Sequence, residues 1–210
     1  AYIWGPAPVE EGLAYITTVL DQPGQTLRSS TVMQANQAAL LAASGRIKPA
    51  LSMVRECRHT AHDLDPESRV VVEQAAVLIH LAGGNIEEAS QSLTDAIEVL
   101  RDCGELAVAS TMLAWRAALL LEQGGRDHQA QQVLTEAAAV TSPYDITSVA
   151  LVETCLAVLA ARDGDHAQAA ARASKARATI DASDQICIQA DIRRWLSEVP
   201  RRRGEVTEQR

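Results

Sequence analysis

A hexapeptide frame returns four times along the chain at nearly constant spacing. Gly45-Arg46-Ile47-Lys48-Pro49-Ala50 reappears as Gly84-Asn85-Ile86-Glu87-Glu88-Ala89, as Gly125-Arg126-Asp127-His128-Gln129-Ala130 and as Gly164-Asp165-His166-Ala167-Gln168-Ala169. The four glycines are almost evenly spaced, so the frame is in phase rather than scattered. A long period of this kind is the signature of a stacked repeat, in which each unit is a supersecondary element that cannot bury its apolar face alone. The chemistry of the two fixed positions suggests which element. Glycine takes a positive φ cheaply and so ends a helix, and the alanine that closes the frame lets a second helix lie close to the first.

Apolar residues on either side recur at helical intervals, as in Leu93, Ala96, Ile97 and Leu100, or Val133, Leu134, Ala137 and Ala138. Asp65-Pro66-Glu67 reads as an N-cap with proline at the first helical position, and Ser142-Pro143-Tyr144-Asp145 as a stop and restart. The pattern predicts helices over 8–22, 28–44, 47–64, 67–82, 86–103, 106–123, 127–141, 145–162, 166–182 and 184–198. The middle eight make four hairpins, 28–64, 67–103, 106–141 and 145–182, within one repeat domain spanning 1–199. Half-units 8–22 and 184–198 flank them, the latter capping the stack, and 200–210 reads as a polar tail or linker. The expected fold is an all-α, right-handed α-solenoid of about ten helices.

Composition agrees with close helix packing. Of 210 residues 37 are Ala and none is Phe, which suits helices at short range and disfavours a sandwich or barrel. A formal charge of −8 argues against nucleic-acid binding through this domain. The chain has no apolar run long enough for a membrane span, so no membrane contact is expected, and the first residues lack the basic region of a signal peptide. Four separated cysteines, Cys57, Cys103, Cys155 and Cys187, read as free thiols in a reducing cytoplasm. The first residue is not Met, and the chain is expected to be a piece of something longer.

The glycine and alanine positions resemble the tetratricopeptide repeat (TPR) in a degenerate form with a longer period than usual. Leu41, His80, Leu121 and Ala160 stand where that repeat usually packs an aromatic ring. A narrower likeness covers almost the whole chain. Gly5-Pro6-Ala7-Pro8-Val9-Glu10-Glu11, Ser142 to Ile146, Ala160 to His166, and the helix after Ala182-Ser183-Asp184 are similar to the repeat region of bacterial AAA/STAND-type signalling ATPases that also carry a class III nucleotidyl cyclase or a transcription-regulator module. Trp4 stands where that family has Tyr. The resemblance implies a cytoplasmic sensing or docking arm, with ATPase and cyclase domains as partners in cis.

Chemistry is sparse. There is no G-x-x-x-x-G-K-[ST] phosphate loop, so the doublets Gly83-Gly84 and Gly124-Gly125 read as helix ends. Cys57, His59, His62 and Asp63 are the nearest approach to a metal set, but zinc needs convergent ligands from more than one element, and a solvated helix end is the simpler reading. His80 reads as a core histidine. The pairs Glu10-Glu11 and Glu87-Glu88 suit first turns of helices, and Arg193, Arg194 and Arg201 to Arg203 a solvated terminus. Neither a catalytic residue nor a cofactor is expected, and the chain reads as non-enzymatic.

What remains is the surface. First helices of stacked hairpins line the inner face of a solenoid. Aligned on the glycines, the inner-groove candidates for a protein segment or small effector are Gln74, Leu78, Met112, Trp115, Leu119, Glu122, Gln123, Thr154, Val158 and Arg162, with Val71 and Leu151 beside them. Trp115 is either an anchor for a ligand or a filler between hairpins. The first hairpin offers only Val32, Ala35, Ala39 and Ala42, too little to clamp a terminal carboxylate. The alternative expectation is a self-association element, a possible homodimer joined through the Tyr2-to-Val9 edge or the Trp195 end.

Overall fold

The structure, a computed structural model, describes residues 7–199. Trp4, Gly5, the Tyr2 edge and the tail with Arg201 to Arg203 lie outside the described residues. Ten helices run in order: α1 Val9–Leu20, α2 Leu27–Ala43, α3 Ile47–Ala61, α4 Pro66–Ala82, α5 Ile86–Asp102, α6 Leu106–Gln123, α7 Asp127–Val140, α8 Ile146–Arg162, α9 His166–Ile180 and α10 Ile186–Leu196. No strand occurs among the described residues. The chain forms two compact units, one ending at Glu105 and the other beginning at Leu106.

Within the first unit α1 packs on α2, α2 on α3 and α4, and α4 on α3 and α5. Within the second, α6 packs on α7 and α8, α7 on α8, and α10 on α8 and α9, while α8 and α9 form the most extensive pair. Inside each unit every helix thus meets its sequence neighbour, and each first helix meets the next first helix. This is the connectivity of a TPR-like α-solenoid, the fold class expected from the repeat.

The turn and packing chemistry is visible atom by atom. Gly45, Gly84, Gly125 and Gly164 all have positive φ, between 65° and 82°. At Gly84 the N–H donates to the Leu81 carbonyl at 3.0 Å and the following Asn85 N–H to the His80 carbonyl at 2.8 Å, so two orphan carbonyls of α4 are satisfied as the chain reverses. At the far end of each frame, Ala50, Ala89, Ala130 and Ala169 are all 0% exposed. A larger side chain at those positions would push the paired helices apart.

Helix starts follow the caps. Thr26 accepts from the Ser29 N–H, Asp65 from Ser68 and Asp145 from Ser148 at 3.0 to 3.1 Å. Both Ser68 and Ser148 are fully buried, and each hydroxyl also donates to its capping carboxylate. The Ser148 oxygen then accepts from Ser110 at 3.0 Å and meets Thr111 at 2.6 Å, which ties the start of α8 to α6.

Burial separates the two kinds of helix. The second helix α9 buries one stripe, Ala169, Ala173, Ala176 and Ile180, whereas α8, with four helical neighbours, buries residues on nearly every side. Four helices stop two or three residues earlier than the apolar pattern suggests, α1 among them at Leu20 rather than 22. α3 ends at Ala61 rather than 64, because the Asp63 and Leu64 N–H groups reach back only three residues in a tightened turn. α9 ends at Ile180 and α10 at Leu196.

Candidate functional site

In the second unit the last turns of α6, α8 and α10 place a set of charged side chains together. Arg162, at the end of α8, donates to Asp127 Oδ1 at 2.6 Å, to the Leu121 carbonyl at 3.0 Å and to Glu198 Oε2 at 3.1 Å. Its side chain is only 11% exposed. Burial works against the guanidinium charge, yet the bonds to Glu198 and Asp127 outweigh it and hold the group above its already high ordinary pKa. The Leu121 carbonyl belongs to the last turn of α6 and also accepts from the Gly124 N–H at 3.2 Å, so Arg162 adds a second donor at this helix end. Beside it Glu122 accepts from the Trp195 indole N–H and pairs with Arg194, whose guanidinium lies 5.2 Å from the Trp195 ring centre.

Under Trp195 lies a void of about 10 Å³, lined by Ala118, Leu121, Glu122, Thr154, Cys155, Val158 and Glu198, with room for one water. Of the inner-groove candidates, Glu122, Thr154 and Val158 therefore line one small space, with Arg162 bonded to its wall residue Glu198. That space is already closed by α10. Thr154 spends its hydroxyl on the Ala150 carbonyl at 2.7 Å. Met112, Trp115, Leu119, Thr154 and Val158 are all buried, Trp115 at 8% exposure. Gln123 is half-buried. The packed alternative for Trp115 describes its surroundings better than an open anchor, because nine-tenths of its surface is inside the molecule.

The first unit leaves more room. Gln74 and Leu78 are half-buried on α4, and Leu78 packs against the alanine-rich core of α2, α3 and α4. Near the starts of α2 and α4 an open depression of about 340 Å³ is lined by Thr26, Arg28, Ser29, Val32, Glu67, Ser68 and Val71. Arg28 spans its rim, at 2.9 Å from Asp65 and 2.5 Å from Glu67. The bond from the Ser68 N–H, with the nearby Arg28 charge helping, keeps the Asp65 carboxyl below its usual range. A second depression of about 200 Å³ lies over α3, α4 and α5, where Arg58 makes a two-bond pair with Glu73 at 3.0 and 2.5 Å and donates to Ser92 at 2.7 Å.

The other singled-out groups do not converge. His62 and Asp63 are exposed, His59 is exposed, and Cys57 is buried with its thiol pushed up to about 11 by burial and by Glu56. Among the described residues no three His, Cys, Asp or Glu side chains are placed to share a metal. His80 is half-buried, and burial, reinforced by Arg58 and opposed by Glu88, lowers its pKa. Glu10, Glu11, Glu87 and Glu88 sit in first turns of α1 and α5. Among the described residues no helix is long and apolar enough to cross a membrane. Sequence reasoning passed over Arg28 and Arg58. Each finds its acid on a neighbouring helix far along the chain, and only the repeat register could have paired them.

No protein-family model matches the chain, and no curated protein matches it by sequence. Solved structures do match in fold. One is BtubC (BKLC) from P. vanneervenii, with a TM-score of 0.70 at 17% identity over 95% of this chain and 85% of that one. Another is a Signal Transduction ATPase with Numerous Domains (STAND) protein with a tetratricopeptide repeat sensor, from Pyrococcus horikoshii, with a TM-score of 0.67 at 14% identity. That alignment covers 89% of this chain but 28% of the other, so this chain spans a little over a quarter of that protein. At such identities the likeness is one of fold.

Proposed function

We propose that the chain is a non-enzymatic scaffold or sensor module which holds a protein segment or small effector against its first helices. The observation that carries this is the open depression between α2 and α4, where Val32 and Val71 give apolar floor and Arg28 and Glu67 give charge at the rim. Gln74 and Leu78 continue the same α4 face toward its C-terminal end, one and two helical turns on from Val71. The inner-groove reading therefore rests on Gln74, Leu78 and Val71 more than on Trp115. The likeness to a STAND protein with a tetratricopeptide repeat sensor supports a sensing role beside ATPase domains. A cyclase partner, a cytoplasmic setting and a role without nucleic acid, membrane or cofactor rest on the sequence alone.

The test is a selection of peptides on the purified chain, followed by titration against Val71→Arg and Gln74→Arg. Affinity should fall at least tenfold in both variants while the helical circular dichroism is kept. Selected peptides that bind the variants as well as the parent would remove the first-helix face from the proposal. Self-association is the second reading, and one observation favours it. Leu106, Ile146 and Ile186, the first residues of α6, α8 and α10, are all exposed. Sedimentation as a monomer from micromolar to near-millimolar concentration would exclude it.

A further inference from the structure

α10 is placed as the first helix of another hairpin. α6 begins at Leu106, α8 at Ile146 and α10 at Ile186, so the three starts are equally spaced and share one repeat interval. Its neighbours tell the same story. α8 touches α6 and α7 behind it, its own second helix α9, and the next first helix α10. Among the described residues α10 packs on α8 and α9 and reaches α6 through Trp195 and Arg194, all of them elements behind it. At equivalent positions α6 buries Ser110 and Ala117, and α8 buries Ala150 and Ala157, all 0% exposed. On α10 and at its C-cap the same positions hold Ala190 and Ser197, which are still small but exposed.

Charge says what kind of helix is missing. On α8, Glu153 holds Arg172 and Lys175 of its own second helix at 3.0 and 2.8 Å. One interval further on, that position is Arg193, which already pairs with Asp181 at 2.7 Å, so the sign is reversed and carboxylates on a covering helix would match it. In sequence, Gly204, outside the described residues, stands one such interval after Gly164 and is followed by Glu205 and Glu208. We propose that α10 is the first helix of a fifth hairpin, and that its Ala190, Arg193 and Ser197 edge is the seat of that hairpin's second helix. The occupant is an amphipathic, carboxylate-bearing helix of the chain's own repeat type, in the phase that Gly204 sets. It continues the interface already made by α2 with α3, α4 with α5, α6 with α7 and α8 with α9.

The experiment extends the full chain. A copy of residues 164–183, carrying Arg172→Glu and Lys175→Glu within the copy, replaces residues 204–210. The thermal midpoint should rise by about 4 °C or more over the unextended chain. Maleimide labelling of an Ala190→Cys thiol, followed site by site by mass spectrometry, should slow at least tenfold. Ser197→Arg should leave the unextended chain unchanged and cancel the rise in the extended one. A copy that keeps Arg172 and Lys175 should give the smaller rise. An unchanged midpoint with both copies, unslowed labelling, or a rise that survives Ser197→Arg would each overturn the seat.

Discussion

Arg162 binds a carboxylate at the start of α7, another just past α10 and a carbonyl in the last turn of α6 through one guanidinium. Removing it by Arg162→Met keeps the stem but frees Asp127 and Glu198, which are 43% and 32% exposed and can rehydrate. The cost is therefore below that of breaking a fully buried pair, and a loss of about 2 kcal/mol is expected in urea unfolding. Asp191 presents the opposite case. Burial raises its carboxyl pKa, Arg194 pulls it back and Glu122 pushes it further up, leaving it above the ordinary 3.8. The folded chain then holds this proton more tightly than the unfolded one, so the penalty is present at neutral pH and fades as pH falls through the folded value. Asp191→Asn should raise the thermal midpoint at pH 7, with the gain vanishing below the ordinary carboxylate range. A lowered midpoint at pH 7 would contradict this account. Thiols divide by the same logic. Cys155 is buried and pushed up to about 12, chiefly by burial, while Cys103 and Cys187 are exposed. Native-state alkylation should modify Cys103 and Cys187 and spare Cys57 and Cys155 until denaturant is added.

At the scale of the helical hairpin, one glycine and one alanine set the geometry for different reasons, and substitution separates them. A Cβ added at Gly84 would meet nothing within 4 Å, so the cost of Gly84→Ala is that of holding φ near +75°, about 1 kcal/mol. Ala89→Leu faces a closed contact instead and should cost about 1–3 kcal/mol through overpacking. Chemical denaturation of both variants checks the pair, and a neutral Ala89→Leu would show the contact to be looser than its burial implies. These two residue types made the helices legible in sequence. A positive φ and a close approach are local demands, met by residues a few positions apart, so Gly45, Gly84, Gly125 and Gly164 announced their turns. The end of α3 was less legible because Leu64 is apolar and half-buried without being helical. The candidate face was legible only as a register. Which members it leaves uncovered depends on distant partners, such as Trp195 reaching back from α10 to Glu122 on α6. Nothing near Thr154 or Val158 in sequence signals that α10 covers them.

Among the described residues the two units hold five helices each. The first is held by the alanine and valine core of α2, α3 and α4, with Leu13, Ile16 and Leu40 joining α1 to α2. In the second, α8 buries residues on nearly all sides among α6, α7, α9 and α10, and Ile188, Ile192 and Leu196 anchor α10. Between α5 and α6 the residues from Arg101 to Glu105 are exposed, and the chain turns at Gly104 with φ near +78°. The Glu105 N–H donates to the Leu100 carbonyl at 2.9 Å, which closes the turn. In a repeat protein each unit leans mainly on its neighbours, and local opening is easiest where the fewest side chains are buried. A glutamate-specific protease at low ratio should therefore cut first after Glu105, ahead of Glu73 and Glu153, whose carboxylates are 14% and 12% exposed in mid-helix ion pairs. Two fragments of nearly equal length should accumulate, and each should keep helical circular dichroism and a cooperative thermal transition. A first cut inside α4 or α8, or fragments that lose helicity on separation, would mean that neither core is sufficient by itself and that stability is shared along the whole repeat.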